Sequence, residues 1–428
     1  MKIVFATEYY HPFVPGGTPW SLRLLARELR AHGDEVIIVT PNYGAPARES
    51  IDDVPVVRFP FWRKLSPGPS LAPVRDHVNP LFHLLFARAL VRTARALGAE
   101  LIHAQEKHAL VGASLAGWWL ELPVVLSLRD FGLICPITTC LLRHAQIPAD
   151  CSLVKLQREC AAFFLDHYIG GGRWRRARVR GSLALLYLDA WLKNRLVKRA
   201  RRVLGVSASI LEIYRRAGRV RPEQAKVVYN LPPAASADAT PAERERVCTS
   251  FGIPDRPIVL YVGKLSLGKG FPVFVAAARL IAARRPDTVF VAVGAGSAPT
   301  ACEGVDLRCL GPRPHVEVEA LYTAADVVLH PAVWPEPFSR VPLEAAAFGK
   351  PVVGTSIGGT LEVIQDNYTG LLVERSDPEA LARAVLRLLD DDGLRRSLGE
   401  NARRFVMERF GAGAVVETLR AAYAEARR

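Results

Sequence analysis

The chain has 428 residues, of which 50% are apolar, and a formal net charge of +14 at pH 7. A chain of this length is too long for one hydrophobic core, because single cores stop growing at roughly 250–300 residues, so we expect two domains. Charged and aromatic residues occur in ordinary proportions, which excludes a disordered or fibrous chain.

The first half of the chain alternates apolar strands with helices. KIVFAT (2–7) is predicted as a buried strand, and the helix that follows is predicted to be capped by Thr18 and closed by Gly33. Further strands are predicted at 35–40, 100–104, 123–128 and 201–207. Apolar strands alternating with helices indicate a parallel sheet covered on both faces, with functional residues at the carboxyl ends of the strands.

The alternation breaks near Asn230 in a stretch rich in proline, alanine and serine, and it restarts with a predicted strand at 257–264. The later strands are predicted at 289–293, 327–329 and 351–354. The predicted fold class is therefore α/β, with two doubly wound domains, residues 1–230 and 231–409, and a cleft between them. Residues 410–428 are predicted as a last helix, which is either a simple cap or packs back on the first domain.

Two glutamates flank a predicted helix start in VWPEPFSRVPLEAAAFGKPVVGT (333–355). A helix that begins near Ser339 or Arg340 at the carboxyl edge of a sheet offers free N–H donors and a positive dipole end, which suit a phosphate. Glu336 and Glu344 would then accept hydrogen bonds from sugar hydroxyls on either side of it. The alternative is that Glu336 is a solvated loop residue and Glu344 complements the helix dipole.

Two lysines occur where the strand in VLYVGKLSLGKGF (259–271) leads into the next helix. Lys264 ends the strand and Lys269 opens the helix, so both are expected at the sheet edge that carries the glutamates. Such cations neutralise a diphosphate without metal; the alternative is that both are exposed loop residues. We predict no essential metal, because the acidic run 390–392 lies at a helix end, where a solvated or capping role is expected.

Together with EYYHPFVPGGTPWSLRLLARELRAHGDEVIIVT near the start, VVYNLP before the linker and GKPVVGTSIGGTLEVI after the second glutamate, these stretches carry a family resemblance. The chain resembles, over nearly its whole length, the retaining, nucleotide-sugar-dependent glycosyltransferases of family 4 (glycosyltransferase group 1). That family has the GT-B fold of two Rossmann-like domains. The combination of motifs is specific, whereas any single one is not.

The resemblance implies a role for each matching position. Gly16 and Gly17 would let the first loop approach the donor phosphates, and Lys264 and Lys269 would hold the diphosphate. Glu344 would bind the ribose and Glu336 the donor sugar. Two loops near the nucleobase would contain Gly294 and Arg313, and backbone amides of the anion site would come from Phe338, Ser339, Arg340 and Val341.

His103, at the end of a predicted strand, resembles a family histidine that points into the cleft, and it completes the predicted catalytic set of Glu336, Lys264, Lys269 and His103. The alternative is a packed, satisfied histidine. Two positions depart from the family pattern. Arg129 stands where histidine is common, which puts the acceptor-side chemistry in doubt because arginine cannot act as a base at neutral pH. Ser339 stands where glycine is common, so a positive φ there would cost energy.

Seven cysteines without a secretory leader in the opening residues indicate a reducing compartment, and we expect a cytoplasmic protein. The longest apolar stretch, 109–120, is shorter than the 18 or so residues that span a bilayer. An insertion at about 131–200 contains Cys135, Cys140, Cys151 and Cys160, whose spacing fits no standard zinc knuckle. We predict that these four cysteines are ordinary thiols. The alternative is a loop stabilised by a metal ion or a disulfide bond.

The positive charge is concentrated in residues 151–230, which hold 18 Lys or Arg against 5 Asp or Glu. Within it, residues 173–202 interleave arginines with leucine, tyrosine and tryptophan at helical spacing. A basic amphipathic helix is typical of binding to an anionic membrane surface, which would place the protein peripherally at the inner face. The alternative is that its apolar face packs in the first domain. Nucleic acid is not expected as a partner, since no recognition module accompanies the charge.

The predicted function is retaining transfer of a sugar from a nucleotide diphosphate-sugar to an acceptor hydroxyl. The acceptor is expected to be a carbohydrate, a lipid-linked molecule or a small molecule, in cell-surface glycan, glycolipid or polysaccharide synthesis. Two alternatives stay open: a sugar-nucleotide epimerase of the same fold, and a catalytically weakened scaffold paralogue, which Arg129 and Ser339 suggest.

Overall fold

The structure, a computed structural model, describes residues 1–144, 147, 151–169, 171–234, 240–297 and 302–428. The chain forms two compact units. The first contains Met1–Leu231 together with Ala412–Arg428, and the second contains Pro232–Gly411.

The first unit is built on an eight-stranded sheet in the order β3-β4-β2-β1-β5-β6-β7-β8. All neighbouring strands are parallel except the β3–β4 pair, which is antiparallel. The strands are β1 (Lys2–Ala6), β2 (Glu35–Pro41), β3 (Arg48–Ile51), β4 (Val54–Phe59), β5 (Leu101–Gln105), β6 (Val124–Leu128), β7 (Arg202–Gly205) and β8 (Ala225–Val227).

Nine helices accompany this sheet within Met1–Leu231, counted over the described residues: α1 (Gly17–Ala31), α2 (Val74–His77), α3 (Pro80–Leu97), α4 (Glu106–Leu120), α5 (Thr139–His144), α6 (Leu153–Lys155), α7 (Ala161–Phe164), α8 (Arg173–Val197) and α9 (Ala208–Arg216). Two π-helical turns, Leu156–Cys160 and Leu165–Ile169, and a 3-10 turn, Pro222–Gln224, complete it. The long α8 occupies the basic insertion that the sequence analysis identified.

The start of α1 differs from the prediction. The N-cap position is Gly16, which makes no side-chain capping hydrogen bond, and Thr18 lies inside the first turn. The Thr18 hydroxyl instead donates to Glu106 Oε1, at 2.7 Å. Thr18 is therefore not the cap: its side chain ties α1 to the residue that follows β5.

The second unit is built on a six-stranded, all-parallel sheet in the order β11-β10-β9-β12-β13-β14. The strands are β9 (Ile258–Val262), β10 (Val289–Val293), β11 (Asp306–Gly311), β12 (Val327–His330), β13 (Val352–Thr355) and β14 (Gly370–Val373). Its helices are α10 (Pro241–Phe251), α11 (Phe271–Ala282), α12 (His315–Ala324), α13 (Arg340–Ala347), α14 (Thr360–Val363), α15 (Pro378–Asp390) and α16 (Asp392–Phe410).

Buried apolar side chains cover both faces of this second sheet. One core joins β9, β10 and β12 to α11 and α15, and the other joins the opposite face of the sheet to α10 and α12. Two covered faces explain why the central strands read as continuous apolar runs. Asp391, in the acidic run that the sequence analysis set aside, caps α16 by accepting a hydrogen bond from the backbone N–H of Leu394 at 2.8 Å.

The last helix, α17 (Ala412–Arg427), belongs to the core of the first unit. Leu419 and Tyr423 are fully buried in the same apolar cluster as Leu22 and Leu29 of α1. Burying this much apolar surface is the main force that holds a terminal helix in place. Over the described residues, none of the helices combines the length and the apolar composition that crossing a bilayer requires.

Candidate functional site

Glu336 lies in the loop after β12, at the carboxyl end of the strand, and it is buried. Its Oε1 lies 2.6 Å from Lys269 Nζ and accepts a hydrogen bond from Trp334 Nε1 at 2.8 Å. Burial alone would raise the pKa of Glu336, but the Lys269 ammonium lowers it below the ordinary value. Glu336 is therefore a carboxylate at neutral pH, and about a third of the Lys269 side chain is exposed.

Backbone contacts hold Lys269 beside Glu336, because the loop after β9 packs against the loop after β12. Gly270 has φ +73°, and a Cβ atom there would lie 1.6 Å from the carbonyl oxygen of Pro331. The backbone N–H of Val333 also donates to the carbonyl of Gly268, at 3.0 Å. Only glycine fits at position 270, and its neighbour Lys269 is thereby held beside the Glu336 loop.

A second backbone contact supports the Glu336 loop from the side of β13. The N–H of Gly359 donates to the carbonyl of Glu336 at 2.8 Å. A Cβ atom at Gly358, which has φ +59°, would lie 2.6 Å from that same oxygen. The Gly-Gly pair in GTSIGGT thus allows the loop to approach, which is a structural reason for its presence.

His330, the last residue of β12, is a buried neighbour of this pair that the sequence analysis missed. It is 4% exposed, and its Nε2 has no hydrogen-bond partner among the described residues. Burial lowers the pKa of His330 to about 4, against the opposing charge of Glu336. The imidazole is therefore neutral at physiological pH. A histidine at a strand end before the Pro-rich loop was the available signal.

Glu344 lies in the second turn of α13 and is also buried. Its Oε1 accepts from Arg340 Nε at 2.8 Å, and its Oε2 accepts from the Tyr322 hydroxyl at 3.2 Å. His315 Nε2 is 3.7 Å from Oε1. Both oxygens of Glu344 are thus oriented by neighbours, and a ligand at the start of α13 meets a positioned carboxylate beside a guanidinium.

The N-terminus of α13 follows directly from this loop. Ser339 is the N-cap residue with φ −71°, and its side chain makes no capping hydrogen bond. Its backbone is in the ordinary region for a non-glycine residue, so replacing the family's glycine costs no strain here. Phe338 is buried against Phe410, with ring centroids 5.5 Å apart, which anchors the segment before the helix. Arg340 and Val341 are the first two residues of α13.

The remaining predicted donor residues of the second unit follow β9, β10 and β11. Lys264 is exposed two residues after β9. Gly294 follows β10 with φ +147°, and a Cβ atom there would lie 1.9 Å from the Gly263 carbonyl, so these two strand-end loops pack together. Arg313 is half exposed and pairs with Glu317 at 3.5 Å. Arg313 therefore pairs with a residue of α12, just after it in the chain, and not with either of the two predicted acids.

In the first unit, Gly16 and Gly17 are exposed at the start of α1. Gly16 has an extended backbone, with φ −170°, which any residue adopts. A Cβ atom at Gly16 would have nothing within 4 Å, so packing within this unit does not explain the glycine.

Three carboxyl groups that the sequence analysis missed follow the strands β1, β5 and β6: Glu8, Glu106 and Asp130. Burial, and then the charge of Glu106, raises the pKa of Glu8 to about 8. Burial, and then the charge of Asp130, raises the pKa of Glu106 to about 7. Lys107 Nζ lies 3.7 Å from Asp130 Oδ2. These acids meet because the carboxyl ends of neighbouring parallel strands share one edge, although each is isolated in the sequence.

His103 requires a correction. It is fully buried in β5, its Nδ1 lies 2.7 Å from the Tyr423 hydroxyl, and its Nε2 lies 2.8 Å from Ser127 Oγ. Burial lowers the pKa of His103 well below the ordinary value. Both ring nitrogens are engaged and the ring has no access to solvent. His103 is therefore a core histidine that joins β5 to α17, not a group that faces a substrate.

Arg129, the departure at the end of β6, is held between two amide side chains. Its Nε donates to Gln105 Oε1 at 2.9 Å and its Nη1 donates to Asn230 Oδ1 at 2.6 Å. It links β5 to the segment just before the boundary of the first unit. Arg129 thus links Gln105 to Asn230, and its guanidinium cannot act as a base at neutral pH.

The cysteines are all free thiols in the structure, Cys135, Cys140, Cys151 and Cys160 included. Cys135 Sγ accepts a hydrogen bond from the backbone N–H of Thr138, at 3.5 Å. Burial raises the pKa of Cys135 to about 11, so this thiol is protonated at neutral pH.

The two doubly wound sheets, with paired charges at the carboxyl ends of the second, define a two-domain α/β enzyme fold of the GT-B class. Residues 16–230 match the family model described as glycosyl transferase 4-like domain, and residues 244–405 match that of glycosyl transferases group 1. The chain belongs to the group 1 glycosyltransferases.

Sequence relatives agree with this membership. The chain is 27% identical over 430 residues to the uncharacterized glycosyltransferase MJ1607 of Methanocaldococcus jannaschii, an alignment that covers 96% of this chain and 94% of the relative. It is 36% identical over 197 residues to the D-inositol 3-phosphate glycosyltransferase of Corynebacterium aurimucosum, covering 42% of this chain. The second alignment spans 46% of that relative, less than half of its length.

Solved structures confirm the predicted fold class. Anabaena Alr3699/HepE in complex with UDP and glucose superimposes with a TM-score of 0.68 at 21% identity, covering 99% of each chain. The sucrose-phosphate synthase of Thermosynechococcus elongatus superimposes with a TM-score of 0.68 at 22% identity, covering 99% of this chain and 98% of the other. At these identities the likeness establishes the fold.

Proposed function

We propose that this chain transfers a sugar from a nucleotide diphosphate-sugar to an acceptor hydroxyl with retention of the anomeric configuration. The observation that carries the proposal is the Lys269–Glu336 pair, held at the carboxyl edge of the second sheet by the glycine contacts around it. An ammonium on a side chain that is about one-third exposed, beside a buried carboxylate, supplies one group for a phosphate and one for a sugar hydroxyl.

The chemistry needs stabilisation of the leaving group. Breaking the anomeric C–O bond leaves positive charge on the sugar and negative charge on the nucleotide diphosphate. Lys269, Lys264 and the N-terminus of α13 are the groups that this unit offers to the growing negative charge, and such preorganised donors are each worth about 3–4 kcal/mol in comparable sites. We propose that the diphosphate is neutralised by these groups without a metal ion. Same-face attack by the acceptor hydroxyl would give retention.

The two carboxylates fit the hydroxyl-bearing parts of the donor. The lowered pKa of Glu336 keeps it ionised, so it accepts hydrogen bonds from a sugar. Glu344, positioned by Arg340 and Tyr322, would accept from ribose hydroxyls. Anabaena Alr3699/HepE, a structural neighbour, was crystallised with UDP-glucose, which supports a nucleoside diphosphate-sugar as the class of donor.

The decisive experiment starts from a panel of nucleotides and nucleotide sugars in thermal-shift measurements. A ligand at 100 times its dissociation constant should stabilise the protein by about 2.7 kcal/mol. The preferred donor is then incubated with candidate acceptors, and the anomeric configuration of the product is read by NMR. Inversion would contradict the proposed stereochemistry, donor conversion without an acceptor would indicate an epimerase, and donor binding without turnover would indicate a scaffold.

We further propose that the acceptor is presented at an anionic membrane surface, on the cytoplasmic side, as cell-surface glycan synthesis requires. The first unit exposes Trp118 and Trp119 on α4, at 77% and 63%, and Trp174 and Trp191 on the arginine-rich α8, at 91% and 44%. Exposed tryptophans beside arginines suit the interface of a bilayer with anionic headgroups.

Co-sedimentation with vesicles tests this surface. Binding to phosphatidylglycerol vesicles but not to phosphatidylcholine vesicles is expected, and a variant that combines Trp118→Ser, Trp119→Ser and Trp174→Ser should weaken it. Trp62, which is 43% exposed outside both helices, provides a matched control as Trp62→Ser. Equal binding of both variants, or none by wild type, would exclude this surface as the membrane contact.

A further inference from the structure

Three side chains of the first unit form a cluster that the transfer reaction does not use. Glu8, His77 and His108 each offer one ligand atom, and these atoms all lie within 4.8 Å of one another. Glu8 follows β1, His77 is the last residue of α2, and His108 lies in the first turn of α4. Three separate segments of the chain thus converge on one point.

No direct hydrogen bond joins the Glu8 carboxyl group to His108. Glu8 Oε2 and His108 Nε2 are 3.6 Å apart, which is longer than a hydrogen bond. Glu8 Oε2, the oxygen nearest to His108 Nε2, is buried without a hydrogen-bond partner among the described residues. Buried polar atoms without partners are costly, and they are rare unless a water, an ion or a ligand satisfies them.

We propose that Glu8, His77 and His108 bind one divalent transition-metal ion, with Zn²⁺ as the ion that this ligand set favours. Two imidazoles and one carboxylate form a known three-ligand set for zinc, which leaves a position for a water or a substrate oxygen. Ligand bonds of about 2.0–2.1 Å place neighbouring ligand atoms roughly 3–3.5 Å apart. The 3.6 Å separation of Glu8 and His108 therefore needs little change, and ligand atoms that lie as much as 4.8 Å apart must approach by roughly 1 Å.

Tyr43 contacts His77, one of the three ligands, and orients its ring. Its hydroxyl lies 3.0 Å from the backbone carbonyl of Glu8 and 2.7 Å from His77 Nε2. When the hydroxyl donates its single proton to the carbonyl, which can only accept, the hydroxyl oxygen accepts from His77 Nε2–H. The lone pair of His77 is then on Nδ1. Fixing the tautomer of a metal-binding histidine through its other nitrogen is the usual task of a neighbouring group.

The surrounding charges are compatible with a cation. Two lysines lie near the cluster, but each has its own carboxylate: Lys107 Nζ lies 3.7 Å from Asp130 and Lys193 Nζ lies 2.7 Å from Asp189. Glu106 adds a further carboxyl group two positions before His108. The positive charges are thus compensated locally. An ion here belongs to the first unit and is independent of the metal-free neutralisation of the donor diphosphate in the second.

The test is metal content and zinc affinity of the tag-free, full-length protein. After dialysis against chelator and then Zn²⁺, mass spectrometry of the metal should find about one equivalent bound to this site, and calorimetry should give one saturable event. Glu8→Gln and His108→Gln should each lose that equivalent. Tyr43→Phe, which keeps all three ligands, should weaken zinc binding by roughly 10–100-fold. Circular dichroism of each variant identifies any that fails to fold.

Two controls separate this site from other zinc binders. His32→Gln changes an exposed histidine of the same unit and should retain the equivalent. Cys140→Ser combined with Cys160→Ser should also retain it. The proposal is overturned if wild type binds no zinc, if the cysteine variant loses the event, or if folded Glu8→Gln and Tyr43→Phe bind zinc as wild type does.

Discussion

Lys269 Nζ lies 2.6 Å from Glu336 Oε1, although the two residues belong to loops that follow different strands of the second sheet. The contact depends on Gly270, whose missing side chain lets the two loops touch. An ion pair in which one partner is buried and the other is about one-third exposed can be opened by a ligand that offers its own negative charge to the lysine. Under the proposed function, Lys269 would exchange Glu336 for the donor diphosphate when the donor binds.

Replacing Lys269 tests its place in the reaction. Lys269→Ala should lower kcat by roughly 10²–10³-fold, because it removes a preorganised donor to the leaving diphosphate. It should also destabilise the protein by about 1–3 kcal/mol, since Glu336 is left buried with less compensation. Steady-state kinetics and denaturant unfolding measure the two effects. Arg279→Ala removes an exposed charge from α11 and should change neither; unchanged kinetics for Lys269→Ala would exclude the assignment.

Replacing Glu344 separates binding from chemistry. Glu344→Gln keeps the shape of the side chain but removes its charge, so the affinity for the nucleotide should fall by roughly tenfold, as for one charge-assisted hydrogen bond. Calorimetric titration with the nucleoside diphosphate alone gives this number. The exposed Glu379 serves as the control in Glu379→Gln, and equal nucleotide affinity for both variants would contradict a ribose contact.

His103 should prove structural. His103→Gln should destabilise the protein by about 1–3 kcal/mol, because the Tyr423 hydroxyl and Ser127 lose a buried partner. Tyr423→Phe, which removes the hydroxyl group that contacts His103 Nδ1, should cause a smaller loss of stability. The kcat of the folded His103 variant should equal that of wild type. A large decrease in kcat without a loss of stability would restore His103 to the catalytic set.

His330 should make stability depend on pH. Its pKa is about 4 in the folded protein and 6.5 when unperturbed, so between these values the unfolded chain binds a proton that the folded protein does not. The contribution of His330 to the free energy of unfolding is therefore fully present above pH 6.5. It decreases by on the order of 2–3 kcal/mol as the pH falls toward 4. Urea unfolding of wild type and His330→Gln at several pH values measures the difference between them. Parallel pH curves would show that His330 does not titrate in this way.

The last helix should be essential to the first unit. Leu419→Ala removes a fully buried side chain of α17 and should cost about 2–5 kcal/mol of unfolding free energy. Glu417→Ala, on the exposed side of the same helix, should be nearly neutral. Thermal unfolding followed by tryptophan fluorescence provides the comparison. A neutral Leu419 variant would mean that α17 contributes little to this core.

Much of the fold was predictable because its causes are local. Continuous apolar runs in the sequence identified six strands, because a parallel sheet buries both of its faces. These strands are β1, β2, β5, β9, β10 and β12. Five strands were not predicted: β3, β4, β8, β11 and β14. All but β4 are edge strands, which pair on one side alone and do not need the continuous apolar run of a central strand, so apolar runs do not identify them.

The sequence by itself determined the α/β class and the family, because motif spacing and apolar runs are properties of contiguous residues. It also predicted the two glutamates and two lysines of the candidate donor site. Only the tertiary structure decided that His103 is a core residue, that the last helix completes the first unit, and that Glu8, Glu106 and Asp130 meet at one sheet edge. These facts depend on residues far apart in the chain, and no local pattern records which strand ends become neighbours.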